Sequence, residues 1–202
     1  MKRVLVLAVC LTLAGCATIV KTPRSGPYRG VVESRLTQLA EQNTWLLEGR
    51  LAIRKGDEGF SAGIRWQQKD EDFDIRLLDP LGRRVAWLVG NPRRVSLTTV
   101  DGKTYKGVDP QLLLKQNLGW AIPLDSLKYW VKGMPDPHKV SWREEYDDIG
   151  RPLLLDQADW HVKLSRYDSD QPLALPKMVR LEREGFRAKL LIDSRSLSEN
   201  RE

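Results

Sequence analysis

From Trp45 to Ile192 the chain returns again and again to one rule, an apolar residue at every second position. That rule limits what it can fold into. Trp45, Leu47, Gly49, Leu51 and Ile53 alternate with Glu48, Arg50 and Arg54, and Phe60, Ala62, Ile64 and Trp66 alternate with Ser61, Arg65 and Gln67. A period of two puts one set on each side of a pleated strand, so these are half-buried strands. The pattern continues in Phe73-Ile75-Leu77, Val85-Trp87-Val89 and Val95-Leu97-Thr99. Turn residues stand between, at Lys55 to Gly59, Lys69 to Glu71, Asp79 to Gly82, Asn91-Pro92 and Asp101-Gly102. Consecutive strands joined by short turns make an antiparallel meander.

Three segments break the rule. Val31 to Asn43 sets Val32, Leu36, Leu39 and Ala40 on one helical stripe. Asp109-Pro110 followed by Gln111 to Asn117 reads as an N-cap, a proline at the first helical position and an apolar run. Pro123 to Lys132 spaces Leu124, Leu127, Trp130 and Val131 by three and four, with Gly133 as the stop. Strand patterns resume at Val140-Trp142, Leu153-Leu155, Trp160-Val162-Leu164, Val179-Leu181 and Ala188-Leu190-Ile192. A sheet this wide, with one apolar face, must curl and be covered. The expected fold is mainly β: a half-open antiparallel barrel of about ten to eleven strands, with the short helices as a lid over its concave face.

The start of the chain points to export. Lys2 and Arg3 precede the apolar run Val4 to Leu13, too short to span a bilayer but suited to a secretory leader. Leu13-Ala14-Gly15-Cys16 resembles the bacterial lipobox. That resemblance implies cleavage before Cys16, with a diacylglycerol on its sulfur and an acyl chain on its amine. Ala17 permits sorting to the outer membrane. Thr18 to Gly30, with Pro23, Ser25, Gly26 and Pro27, reads as a tether. The expected organisation is a leader at 1–15, a lipidated N-terminus and tether at 16–30, one domain at 31–195 and a tail at 196–202. Losing the leader removes Lys2, Arg3 and Cys10, which lowers the net charge from +6 to +4 and leaves one cysteine. So small an excess, spread along the chain, does not describe a nucleic-acid binder.

Reaction chemistry is hard to find. Gly59-Phe60-Ser61-Ala62-Gly63 matches the nucleophile elbow of serine hydrolases, but an elbow needs a helix after the serine, and here the alternation runs straight through. His138 lies in a proline-rich connection and His161 on the polar face of a strand; both read as solvated. The acidic pairs Glu144-Glu145 and Asp147-Asp148 lack ligand spacing, and no glycine-rich phosphate loop occurs. The expectation is therefore a non-enzyme with no metal and no cofactor beyond the lipid on Cys16. Arg83-Arg84 and Arg93-Arg94 suit either solvent or phosphate head groups.

Seven of the aromatic residues are Trp, against five Tyr and three Phe. Indoles are large and amphipathic, so a concave face rich in them is either a filled core or the wall of a cavity. The pattern alone leaves both open.

Across nearly its whole length the chain resembles the LolB family, outer-membrane acceptors in bacterial lipoprotein localisation. The resemblance rests on L-A-G-C, Trp45 to Ala52, the strand ending Arg65-Trp66-Gln67, Asp79-Pro80-Leu81-Gly82, Gly119 to Leu124, Leu127 to Pro135, Gln157 to Trp160 and Leu175-Pro176. The family often has a Trp near the end of its last strand, where this chain has Asp193-Ser194-Arg195. The resemblance implies a hydrophobic cavity that takes acyl chains of a lipoprotein from the periplasmic carrier LolA and passes them to outer-membrane phospholipid. It implies a protein with no nucleic-acid partner, monomeric, anchored in the inner leaflet. Shielding is needed because each methylene exposed to water costs about 0.8 kcal/mol. The candidate lining is Trp45, Ile53, Ile64, Trp66, Phe73, Ile75, Trp87, Leu97, Trp120, Trp130, Trp160 and Leu181.

Leu81 stands apart. Pro80 and Gly82 suit positions i+1 and i+3 of a type I turn, which leaves Leu81 at the tip. In the family, a leucine at the matching position is linked to delivery of cargo into the membrane. The rival reading keeps the anchor and the barrel but gives the interior to another amphiphile, or fills it as the core of an envelope interaction protein.

Overall fold

A computed structural model of the chain describes residues 29–197. The leader, Cys16, most of the tether and residues 198–202 of the tail lie outside the described residues. In chain order the elements are α1 (Arg29–Ala40), β1 (Thr44–Lys55), β2 (Glu58–Lys69), β3 (Asp72–Leu78), β4 (Arg84–Asn91), β5 (Arg94–Thr99) and β6 (Thr104–Gly107). Then come α2 (Pro110–Leu118), α3 (Leu124–Trp130), β7 (Ser141–Tyr146), β8 (Pro152–Gln157), β9 (Trp160–Tyr167), β10 (Pro176–Arg183) and β11 (Phe186–Leu197). Arg29 and Gly30, read as tether, are the first residues of α1, and Ser196 and Leu197, read as tail, belong to β11. β6 escaped the alternation pattern because four residues hold too few repeats to register a period.

All strands join one antiparallel sheet in the order β6-β5-β4-β3-β2-β1-β11-β10-β9-β8-β7. The centre is β1, whose Leu51 lies opposite Ala62 on one side and Leu190 on the other. β6 and β7 end the order, so the ring is not closed by hydrogen bonds. The sheet nevertheless curls, because inward residues from β1 to β5 and β8 to β11 merge with α2 and α3 into one buried cluster. The lid helices leave the sheet after β6 and return at β7. Antiparallel order also sorts the turns: those after β1, β3, β5, β8 and β10 share one end of the sheet, and those after β2, β4 and β7 share the other.

Most strands hold the expected phase, with Trp45, Leu47, Leu51 and Ile53 of β1 buried and Arg50 exposed. On the outer face, Arg65 pairs with Glu48 and Arg50 with Asp193, each at 2.8 Å; exposed pairs like these contribute little to stability. β4 runs in the opposite phase to the one the sequence suggests. Ala86 and Leu88 are buried while Trp87 and Val89 face outward, and Val85, at the register shift beside Leu78, is half-buried against the core.

Candidate functional site

The concave face is apolar and roofed. α2 begins where the Asp109 carboxylate accepts the Leu112 N–H at 3.0 Å, and it stops at Gly119, whose φ of 81° is the left-handed cap. Its Leu113 and Leu114, with Leu124, Leu127 and Trp130 of α3, press onto the sheet. Between lid and sheet lies a void of about 40 Å³, walled only by apolar side chains, among them Ile64, Trp66, Leu97, Leu114, Trp120 and Ile122. That is the share of roughly one water, and a long acyl chain needs on the order of ten times as much. With the lid in this position the interior is nearly full.

Of the residues expected to line a cavity, Ile64, Trp66, Ile75, Leu97 and Trp120 do border this void. Trp45, Ile53, Trp130, Trp160 and Leu181 are buried in the same core without bordering the void, and Phe73 is half-buried against that core. The indoles pack on one another, Trp45 on Trp66 at 5.0 Å and Trp130 on Trp160 at 6.5 Å between ring centres. Trp87 is a correction, since it lies on the outer face. Its indole N–H donates to Asp74 at 3.1 Å, and the Arg76 and Arg84 guanidinium groups lie 5.8 and 4.7 Å from its ring centre. An indole flanked by cations and a carboxylate is stable at a polar surface, so its size alone did not reveal its side. Sequence reasoning missed Leu51, Leu77, Leu127 and Leu190 on the same wall, although all four follow from the strand and helix periods, and it missed Leu88 because the phase of β4 is reversed.

The far end of α3 is held by polar groups that no motif announced. Gln157 is wholly buried; its carbonyl accepts from Trp130 Nε1 at 3.0 Å and Asp136 N at 2.8 Å, and its amide donates to Asp136 O and Lys139 O. Buried Arg35 of α1 donates to Pro172 O and Lys132 O, Lys132 Nζ donates to Leu39 O and Gln42 O, and Arg195 donates to Val131 O. Burial pulls the Lys132 ammonium down to about 8 and the Arg195 guanidinium to about 10. By contrast, among the described residues the connection from Gly119 to Pro123 has one such tie, Lys55 Nζ to Gly119 O at 3.0 Å. The lid is thus pinned at its α3 end and lightly held at its α2 end.

Leu81 is 79% exposed at the tip of the turn after β3. Gly82 N donates to Asp79 O at 2.9 Å, and the Asp79 carboxylate accepts from Leu81 N, Arg83 N and Arg83 Nε at 2.7 to 2.9 Å. These donors, the Arg83 N–H foremost, hold the Asp79 carboxyl below its usual range. The turn is rigid and its apolar tip is bare.

Ser61 is exposed within β2 with no helix behind it, which removes the hydrolase elbow. His138 is exposed, whereas His161 is only partly so and its Nδ1 contacts the buried Asp156, a pairing the sequence did not suggest. Among the described residues no cluster of three His, Cys, Asp or Glu side chains is placed to hold a metal ion, and no helix is long and apolar enough to cross a membrane.

Residues 43–194 match the family model described as outer membrane lipoprotein LolB. The chain is 33% identical over 189 residues to an outer-membrane lipoprotein LolB of Nitrosococcus oceani, covering 94% of each. It is 31% identical over 185 residues to that of Chromohalobacter salexigens, covering 92% of this chain and 86% of the relative. Among solved structures, a DUF1329 family protein from Desulfovibrio piger superposes with a TM-score of 0.51 at 10% identity over 87% of this chain and 95% of its own, a likeness of fold alone.

Proposed function

The chain belongs to the LolB family of outer-membrane lipoproteins, with a part in lipoprotein localisation, and on that premise we propose that it accepts the acyl chains of lipoproteins from the periplasmic carrier LolA and inserts them into the inner leaflet of the outer membrane. The observation that carries this reading is the interior: a wall of apolar side chains free of polar groups, roofed by two short helices of which one end is lightly tied. Acyl chains enter when α2 and the Gly119 to Pro123 connection lift away from the sheet, while α3 turns about its polar moorings. The acyl chains on Cys16 hold the domain at the membrane, and no other prosthetic group takes part.

Without a nucleotide, direction comes from affinity. The interior must hold acyl chains more tightly than the carrier does and less tightly than the bilayer. Leu81 gives the last step a place, because a rigid apolar tip enters the bilayer interface beside Arg83 and Arg84, whose charges suit phosphate head groups. The test is transfer of radiolabelled lipoprotein from purified LolA to this protein and onward to liposomes. Leu81→Glu is expected to leave melting temperature and uptake unchanged and to slow release about tenfold. Failure of uptake from LolA in the wild type overturns the reading in favour of a barrel for another amphiphile, and unchanged release in the variant removes Leu81 from the mechanism.

A further inference from the structure

The turn after β5 repeats the turn after β3. Gly82 N donates to Asp79 O and Gly102 N to Thr99 O, both at 2.9 Å; Asp79 N donates to Arg83 O at 2.9 Å and Thr99 N to Lys103 O at 3.0 Å. Gly82 and Gly102 share the same φ of 79°. Each turn also neutralises its own cation, Arg83 on Asp79 at 2.7 Å and Lys103 on Asp101 at 2.9 Å. Each presents one apolar side chain to water, Leu81 at 79% and Val100 at 75% exposure.

The topology sets these two turns side by side. Strands β3, β4, β5 and β6 are consecutive neighbours, so the hairpins end at the same edge of the sheet with their centres two strand spacings apart, about 10 Å. Isolated apolar residues on a surface are ordinary. Two of them, each at the tip of a rigid turn and each beside an exposed cation on adjoining hairpins, form a line. We propose that Val100 is a second point of membrane contact, and that Val100 and Leu81 together seat this edge on a bilayer bearing anionic head groups. The proposal rests on the delivery reading above and deepens it. One point of insertion lets the domain swivel, whereas two points about 10 Å apart fix which way the concave face is turned toward the lipid.

The cations favour an anionic bilayer as the occupant. Arg83 and Lys103 are each offset by the acid of their own turn, Asp79 and Asp101, and Arg84, over the Trp87 ring, leaves the two tips with a net charge of +1. The experiment uses the full acylated chain in vesicles of phosphatidylethanolamine and phosphatidylglycerol that carry a nitroxide-labelled lipid. Single Val100→Cys, Leu81→Cys and Asp148→Cys variants each bear an environment-sensitive fluorophore, Asp148 being exposed in the turn after β7 at the opposite end. Quenching at Val100 and Leu81 with none at Asp148 is the expected result. No quenching at Val100 overturns the proposal, and equal quenching at all three sites overturns it as well. If Leu81 is quenched in the first of these cases, the delivery reading stands without Val100; if Leu81 is silent too and Leu81→Glu releases cargo normally, that reading falls with it. As a second readout, Val100→Glu is expected to slow release about fivefold, and Val100→Thr less, with melting temperature unchanged for both. Release at the wild-type rate in Val100→Glu counts against the proposal.

Discussion

The turns at 79–83 and 147–151 are spelled alike and fold alike, yet they meet opposite surroundings. Asp79-Pro80-Leu81-Gly82-Arg83 and Asp147-Asp148-Ile149-Gly150-Arg151 both place Asp first, an apolar residue third, Gly fourth and Arg fifth. In both, the glycine N–H donates to the aspartate carbonyl, at 2.9 and 3.0 Å, and the carboxylate takes two backbone N–H groups and the arginine Nε. The differences lie outside the turns. Gly150 is buried under Val31 and Val32 of α1, and the Arg151 guanidinium lies over the Tyr167 ring at 4.7 Å while donating to Ser169 O. Gly82 has open space around it and Arg83 reaches into water. Turn chemistry therefore sets the shape of the loop, and neighbouring elements decide whether its apolar residue is covered. Leu81 is bare because no element was laid over it.

The largest effect that separates the two turns is expected at their glycines. Both have φ near 80°, so alanine is strained in either, at about 1 kcal/mol. At position 150 the added methyl would also lie 3.0 Å from the Val31 side chain, so Gly150→Ala is expected to cost about 3 kcal/mol in urea unfolding, against about 1 kcal/mol for Gly82→Ala. Equal costs would mean that α1 does not seat firmly on the second turn. Next come the apolar residues. Half-buried Ile149 is expected to lose about 1.5 kcal/mol on change to Ala, and exposed Leu81 less than 0.5 kcal/mol by the same measurement.

The smallest effect is one of pH. Folding lowers the Asp79 carboxyl below its ordinary 3.8, so its contribution is fully present above that value and fades as pH falls through the lower folded value. The gap in urea midpoint between wild type and Asp79→Asn is expected to be constant above pH 5 and to narrow as the pH is lowered toward 3. A gap that widens on acidification would show that the carboxylate does not hold the turn.

Much of this was legible from local pattern. Alternation predicted ten of the strands, the Asp109-Pro110 and Gly119 signals bounded α2, and the Asp79 to Gly82 turn was readable from its residues. The failures have a common cause, which is that they depend on something distant in the chain. In β4 both faces carry apolar residues, so alternation fixed the period but not the phase; the phase follows from the register that sets Leu88 opposite Ile75 and Leu97. Arg35 sits on the buried stripe of α1 between Val32 and Leu39, a position that looks forbidden to a charge until carbonyls of residues 132 and 172 come to meet it. The same holds for Gly150, whose cover, Val31 and Val32, lies more than a hundred residues earlier.

The unpaired margins at β6 and β7 carry one more consequence. A barrel whose ladder runs all the way round has a girth fixed by strand number and stagger, and it cannot widen without breaking backbone bonds. Here the chain between the two margins runs through α2, α3 and the connection that follows them, with no strand bridging the seam among the described residues, so the two flanks of the sheet are free to part while each existing rung stays intact. The interior is in effect a purse with a helical clasp, and its capacity is set by how far the clasp yields.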